Sequence, residues 1–551
     1  KMESYCREVL SQESISILEK KDVYLTKLNN LTYAEMRYED AIDLFLTILA
    51  DLGCRFPRYR IVGRLEALVS LRQTVTMVKQ IPVEMLESLP VMTNSSKLVS
   101  AALMSRLGLC AWFGGKRNLF LFILTITKMV QMTLSFGLFE FSATSFSDLG
   151  WMTLVMMGDV DAAQSFAELA LKMEENSKLL WAGKARLSFV IYAHILHHVK
   201  TLHSFSKPLL EGYQSGMRTG DKANAMWCLL QHVIALYMIG KPLKLVEEQC
   251  KLCVSQMMEL KEQQQAINLR MRWQLILNLM GISGNTTELS GKAMDEKEFA
   301  SSVTSLYPFL CAKIIACNFF GDYEFGANLA LEKRNEKWFK LKGGPFNVMD
   351  FLFHQALSLY AMARKSKTMR RTYIAQADRI RKELNDSLKK RNPNIAHYVS
   401  ILNAERAVLK QKKNQSKIVH ELYNDAITRS ARCGYVHYAA LAQEHFADFL
   451  LSKDGNIEEA KYNIEGALER YTNWGAMGIV EHLHNKYRDV LDGNIKEFQV
   501  NIEGALDGNI EKFKDNIEGP AQERYTKWGA MGVVENLRNK IQDVFGKSPT
   551  L

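Results

Sequence analysis

Proline is scarce, at 10 in 551 residues beside 32 glycines. Proline breaks helices by removing a backbone donor and clashing with the preceding turn. A chain so poor in it, and rich in Leu, Ala, Met, Glu and Lys, can run helical almost throughout. A sustained apolar run is also missing. The most apolar stretch, Leu119 to Ile126 (LFLFILTI), meets Thr127, Lys128 and Gln131 before a second run ending near Phe141. A spanning helix needs about 20 predominantly apolar residues, so these read as two core helices and no membrane span is expected. The opening KMESYCREVLSQESIS lacks the apolar centre of a secretory signal. It starts at Lys1, which suggests a fragment. The nine cysteines are odd in number and scattered, and several lie in apolar helical patterns, such as Cys311 and Cys317. Buried free thiols in a reducing, cytoplasmic setting are expected. Nor does one sign of charge dominate: 70 basic against 60 acidic side chains give a net charge of +10. The two signs are interleaved, which suits solvated helix faces and gives no reason to expect nucleic acid.

Catalytic signatures are missing as well. A P-loop needs Gly-x4-Gly-Lys-Ser/Thr so that backbone amides wrap phosphate. The nearest approach, GNTTELSGKAM, separates Gly284 from Gly291 by six residues and puts Ala293 where the hydroxyl belongs. No HRD or DFG motif and no cyclase-type carboxylate pair occurs. The chain therefore reads as a non-enzyme without a cofactor.

What is present is helical periodicity. From Tyr38 to Gly53, Ala41, Ile42, Leu44, Phe45, Ile48 and Leu49 fall on one face, and Gly53 marks a stop. A turn phrase then recurs, Gly-Asp or Asp-Gly followed by Ala in an apolar helix, from Gly158, Gly321 and Asp454. The small residues Ala162, Ala163 and Ala460 let a second helix approach the first. This is the pattern of tetratricopeptide-like hairpins, whose period is about 34 residues, though the spacing here is irregular. The expected fold is all-α, an α-solenoid of degenerate TPR-like helical hairpins. The expected organisation is an N-terminal half of the array over 1–280, a polar linker loop over 281–298, a C-terminal half over 299–490, and a duplicated, less ordered repeat over 491–551. The duplication is close: GNIEEAKYNIEGALERYTNWGAMGIVEHLHNK from Gly455 reappears with changes from Gly508, and Pro520 falls inside the second copy's first helix.

From Asn392 onward the residues resemble the end of the helical-repeat region in large signalling proteins. Those proteins fuse a kinase-like module, an AAA-type signal-transduction ATPase and a histidine-kinase or cyclase output module to such an array. The matching positions are Ala404 and Glu405, Tyr423 and Ala426, then Ala440, Leu441, Ala442 and Glu444. Tyr471, Trp474, Gly475 and Ala476 complete them as Y-x-x-W-G-A. The resemblance implies a regulatory or protein-interaction region of a signal-transduction ATPase or kinase, partnered by proteins or by adjacent domains of the same polypeptide. A free-standing scaffold is the alternative.

Other clusters have a plainer structural reading. His194, His197 and His198 share helical spacing but lack a nearby carboxylate or cysteine to complete a zinc shell. Cys250 and Cys253 sit inside an amphipathic helix rather than after a strand. Trp474 and Trp528, each before Gly-Ala, fit helix corners. The basic run from Lys365 to Arg391 holds a single aromatic residue, Tyr373, which suits a solvated face better than a nucleic-acid site.

Overall fold

The computed structural model describes residues 2–493, apart from 298, 300–305, 333–342, 411–415 and isolated positions at 13, 17, 36, 58, 116, 178, 180–182 and 285. The duplicated repeat from 494 to 551, with Pro520 and Trp528, lies outside the described residues. The chain divides into two compact units. One is Lys1–Val199 with Lys207–Cys228; the other is Lys200–Ser206 with Leu229–Leu551. Residues 281–298 fall within the second unit.

The first unit is all helical. It carries α1 (Met2–Ser11), α2 (Lys21–Asn29), α3 (Tyr38–Asp51), α4 (Arg60–Gln80), α5 (Val83–Glu87), α6 (Ser95–Phe113), α7 (Leu119–Phe136), α8 (Ser142–Met157), α9 (Val160–Asn176), α10 (Lys184–Val190) and α11 (Ser206–Thr219, from Lys207). α12 (Lys222–Met238) begins in it. Neighbouring helices pack as hairpins, α6 on α7, α7 on α8 and α8 on α9. The Gly-Asp phrase builds the last of these. Gly158 is left-handed at φ 69°, and the Asp159 side chain caps α9 by accepting from the Ala162 N–H. Buried Ala162 and Ala163 then let α9 lie against Gly150 of α8. α3 buries Ala41, Ile42, Phe45, Ile48 and Leu49 and ends before Gly53 at φ 79°, as the periodicity requires.

One expectation is corrected here. The apolar stretch after Leu119 forms a single helix of 18 residues, not two, because its polar residues are helix-compatible and have partners. The Thr127 hydroxyl accepts from Ser70 at 2.8 Å, Gln131 donates to Thr74 at 2.8 Å, and the Lys128 ammonium lies over the Phe56 ring. By length and composition α7 could cross a membrane, but most of it is buried among other helices, which is the environment of a core helix.

The second unit continues with α13 (Leu243–Glu259), α14 (Gln263–Leu279), α15 (Leu306–Phe319), α16 (Tyr323–Leu331), α17 (Asn347–Lys365), α18 (Arg370–Lys389), α19 (Ala396–Lys410), α20 (Ser416–Arg432), α21 (Val436–Phe449), α22 (Ile457–Trp474), α23 (Met477–Lys486) and the short α24 (Arg488–Leu491). Each helix again packs on the next, and α17 also packs on α15 and α19. Such repetition of one contact pattern is the solenoid principle, each hairpin completing its neighbour's core. No strand forms among the described residues; an isolated bridge joins Val91 and Leu138.

Two details bind this unit together. The stretch after α14 is fastened to that helix: Asn278 donates to the Thr286 and Glu288 carbonyls, and Gln274 accepts from the Ala293 N–H at 2.9 Å. Leu289 donates its N–H to Glu296, itself paired with Lys313 at 2.8 Å. Within the P-loop-like segment the Leu289 and Ala293 amides are thus taken by side chains, and that of Gly291 by the Met294 carbonyl. The other detail is the return of the α22–α23 hairpin to the first hairpin of the unit. The Trp474 indole donates to the Lys241 carbonyl, and Gly478 meets Gly281 so closely that a Cβ there would collide with backbone.

Candidate interaction groove

A groove of about 460 Å³ opens over α20, α21 and α22. α20 supplies Asn424 and Ile427, and α21 supplies Gln443. α22 lines it with Tyr462, Asn463, Glu465, Gly466, Glu469 and Arg470. Steps of three and four residues put these last six on one helical face. Gly466 lets the Gln443 amide lie against the helix and form the floor, because a Cβ at that position would run into it. The same glutamine accepts from Arg470 at 2.9 Å, and Arg470 also reaches the Gly466 carbonyl at 3.2 Å. Tyr462 is 73% exposed at the rim, and Glu465 and Glu469 are exposed beside it. Asn424 is exposed on the opposite wall. The groove therefore offers amide donors and acceptors, an aromatic ring, the aliphatic Ile427 and an acidic edge.

The positions that carry the family resemblance lie behind this surface. Ala404, Ala426, Ala440, Leu441 and Ala442 are fully buried at helix contacts, and Glu405, Tyr423, Glu444, Tyr471 and Trp474 are buried with them. The structure brings the polar ones into two networks. Glu405 accepts from Tyr423 at 2.6 Å, contacts His445 at 2.9 Å and pairs with Arg364 at 2.9 Å, tying α17, α19, α20 and α21 together. Burial alone would push the Glu405 carboxyl up; the Arg364 guanidinium, with His445 and Tyr423, outweighs that and holds it at about 2. Glu444 pairs with Lys486 at 3.0 Å and lies 3.5 Å from the Tyr471 hydroxyl, while Lys486 also meets Asp448 at 2.9 Å. Trp474, Gly475 and Ala476 form the corner between α22 and α23. Gly475 is left-handed at φ 88°, and the Ala476 N–H closes the turn on the Tyr471 carbonyl at 2.9 Å. Groove and network residues are thus neighbours in sequence, Tyr423 beside Asn424 and Glu444 beside Gln443, on opposite sides of one layer.

A third polar group sits deeper in the second unit. Asp350 accepts from Tyr438, lies 3.4 Å from Tyr398 and His354, and is fully buried. Burial raises its carboxyl, but the His354 hydrogen bond and charge, Arg272 and Tyr438 bring it to about 2. Beside it His437 stacks on Trp474 at 4.7 Å, and burial pushes its imidazole down to about 3.

The remaining sequence clusters have structural surroundings. The His194 ring packs tilted against Trp151 at 4.4 Å, and His197 packs on His198 at 4.0 Å where the helix tightens after Ile195. Among the described residues no three His, Cys, Asp or Glu are grouped to hold a metal. Cys250 and Cys253 are buried in α13, and burial pushes the Cys253 thiol up to about 12, which disfavours the reactive thiolate. In the basic helix α18, Arg370 reaches the Leu409 carbonyl and Arg381 the Asn403 side chain, so two of its cations are internal contacts.

No family model matches the chain, and no curated protein does. A solved chain described as "Circular tandem repeat protein with novel repeat topology and enhanced subunit contact surfaces" aligns at 12% identity over 92% of this chain and 95% of its own. Its TM-score is 0.14, too low to carry an argument.

Proposed function

We propose that this chain is a non-catalytic, cytoplasmic protein-interaction region whose groove over α20–α22 takes an extended peptide segment. The observation that carries the reading is the groove itself, a polar channel floored by Gln443 against a glycine in mid-helix, where Ala would stabilise the helix by roughly 0.5–1 kcal/mol. Its volume falls within the range of small-ligand and peptide-side-chain pockets. Glu465 and Glu469 favour a segment carrying Lys or Arg; Tyr462 and Ile427 give an apolar side chain a place to rest; Asn424 and Gln443 suit backbone amides. The free, mostly buried cysteines are in keeping with a reducing compartment. A random peptide library selected on the full chain, with Tyr462→Ala/Glu465→Lys protein as the competitor, tests this. Basic-plus-apolar sequences that the variant fails to retain support it; sequences held equally by both proteins defeat it.

The finer reading is that the region is the regulatory arm of a signalling ATPase or kinase, holding a neighbouring module through this surface and releasing it when a partner competes. It rests on the Y-x-x-W-G-A block and the buried Glu405 and Glu444 positions. The full-length transcript decides between this and a free-standing scaffold: a P-loop ATPase or an output module in the same reading frame favours the arm, and stop codons close to both ends favour the scaffold.

A further inference from the structure

α4 is apolar on two opposite faces, and its partners cover one. Its seam of Gly63, Ala67, Leu71, Val75 and Val78 is buried against α7 and α8. Opposite lie Ile61, Val62, Leu65, Leu68 and Val69, with Ile61 at 77% and Leu65 at 62% exposure. These recur at four- and seven-residue steps, a continuous stripe about 12 Å long at 1.5 Å per residue. Scattered exposed apolar residues need no explanation, whereas a contiguous stripe marks a binding surface.

The charge around the stripe is mostly basic. Arg64 flanks one edge, Arg60 precedes it at the start of the helix and Arg72 prolongs it by a turn; none of the three forms an ion pair among the described residues. Glu66, the one acid in the helix, borders the other edge. Tyr59, at the entrance to the helix, is 80% exposed. An apolar ridge with three arginines against one acid and an exposed tyrosine at one end is the composition of a helix that lies in the surface of an anionic membrane. There the apolar side chains enter the acyl boundary while guanidinium groups meet lipid phosphates. An antiparallel second copy of the same helix would bring the arginine edge against the arginine edge. A helix-binding protein site would be a groove, and this is a ridge, exposed over most of its circumference.

We infer that the outward face of α4 docks the protein on anionic lipid bilayers, as a peripheral contact independent of the groove over α20–α22. The test is co-sedimentation of the full chain with phosphatidylcholine vesicles, with and without about 30% phosphatidylserine, at low and high salt; each arginine near such a surface contributes about fivefold to partitioning. The wild type should bind the phosphatidylserine vesicles and release them in high salt. Arg64→Glu should weaken binding at least about fivefold and Leu65→Asp/Val69→Asp should abolish it, all with unchanged thermal unfolding because the positions are exposed. Arg64→Gln separates loss of attraction from introduced repulsion and should fall between. Failure of the wild type to bind, equal binding to vesicles without phosphatidylserine, or unaltered binding by Leu65→Asp/Val69→Asp overturns the inference and leaves an acidic protein as the occupant of the face.

Discussion

The indole N–H of Trp474 donates to the backbone carbonyl of Lys241 at 3.1 Å, across 233 positions of chain. The donor ends α22 and the acceptor precedes α13, so one hydrogen bond joins the corner between α22 and α23 to the first hairpin of the second unit. The ring also stacks on His437 and lies 6.0 Å from Phe319. Trp474→Phe keeps most of the ring packing and removes the donor, leaving a carbonyl unsatisfied. The expected loss is about 1–3 kcal/mol, read from urea unfolding. An unchanged midpoint would show that the bond contributes nothing.

Glu405 makes a harsher case, because its removal strands Arg364, His445 and Tyr423 together. Glu405→Ala should cost about 3–5 kcal/mol, as expected when a buried pair loses one partner. Glu405→Gln, which keeps the hydrogen bonds, should cost less. Arg364→Met in the Glu405→Ala background should recover part of the loss, and a double-mutant cycle measures how much. Strict additivity would mean the pair is not coupled.

Acid should unfold the second unit in two stages. His437 is pushed down by burial to about 3 from an ordinary 6.5, so the unfolded chain takes up a proton there before the folded chain does. Its contribution to stability is complete above about pH 6.5 and falls away as the pH drops toward 3. Glu405 and Asp350, both held at about 2, contribute above their ordinary carboxylate range and lose that contribution as the pH falls through about 4 to 2. Urea midpoints should decline between pH 7 and 5 and more steeply below. His437→Asn should make the upper part shallower without flattening it, because burial also lowers His397 in the same unit; a profile flat from pH 7 to 4 would contradict both assignments.

Much of the fold could be read from sequence because hairpins are local. The face of α3 and the turns at Gly158, Gly321 and Gly455 follow from spacing and glycine chemistry, each of those glycines having a positive φ. The corner at Trp474 and Gly475 was legible for the same reason. What escaped was non-local. Thr127 and Gln131 look like interruptions until α4 supplies Ser70 and Thr74 as partners. The loop after α14 looks like a linker until Gln274 and Asn278 are seen to hold it. The acids Glu405 and Glu444 could be singled out, but not their partners, which come from other helices. The groove left one trace, Gly466 within an otherwise strong helical pattern, where an isolated glycine signals close approach.

The claim that the groove over α20–α22 is a peptide site is tested most directly at Gly466. Gly466→Ala adds a methyl group against the Gln443 amide, whose displacement reshapes the floor and gives up its bond to Arg470, a loss that the helix preference of Ala offsets in part. A peptide selected on the wild type should lose at least about tenfold in affinity for this variant, or about 1.4 kcal/mol, with the variant still folded by thermal unfolding. Equal affinity for both proteins would contradict the account and move the binding surface elsewhere on the chain.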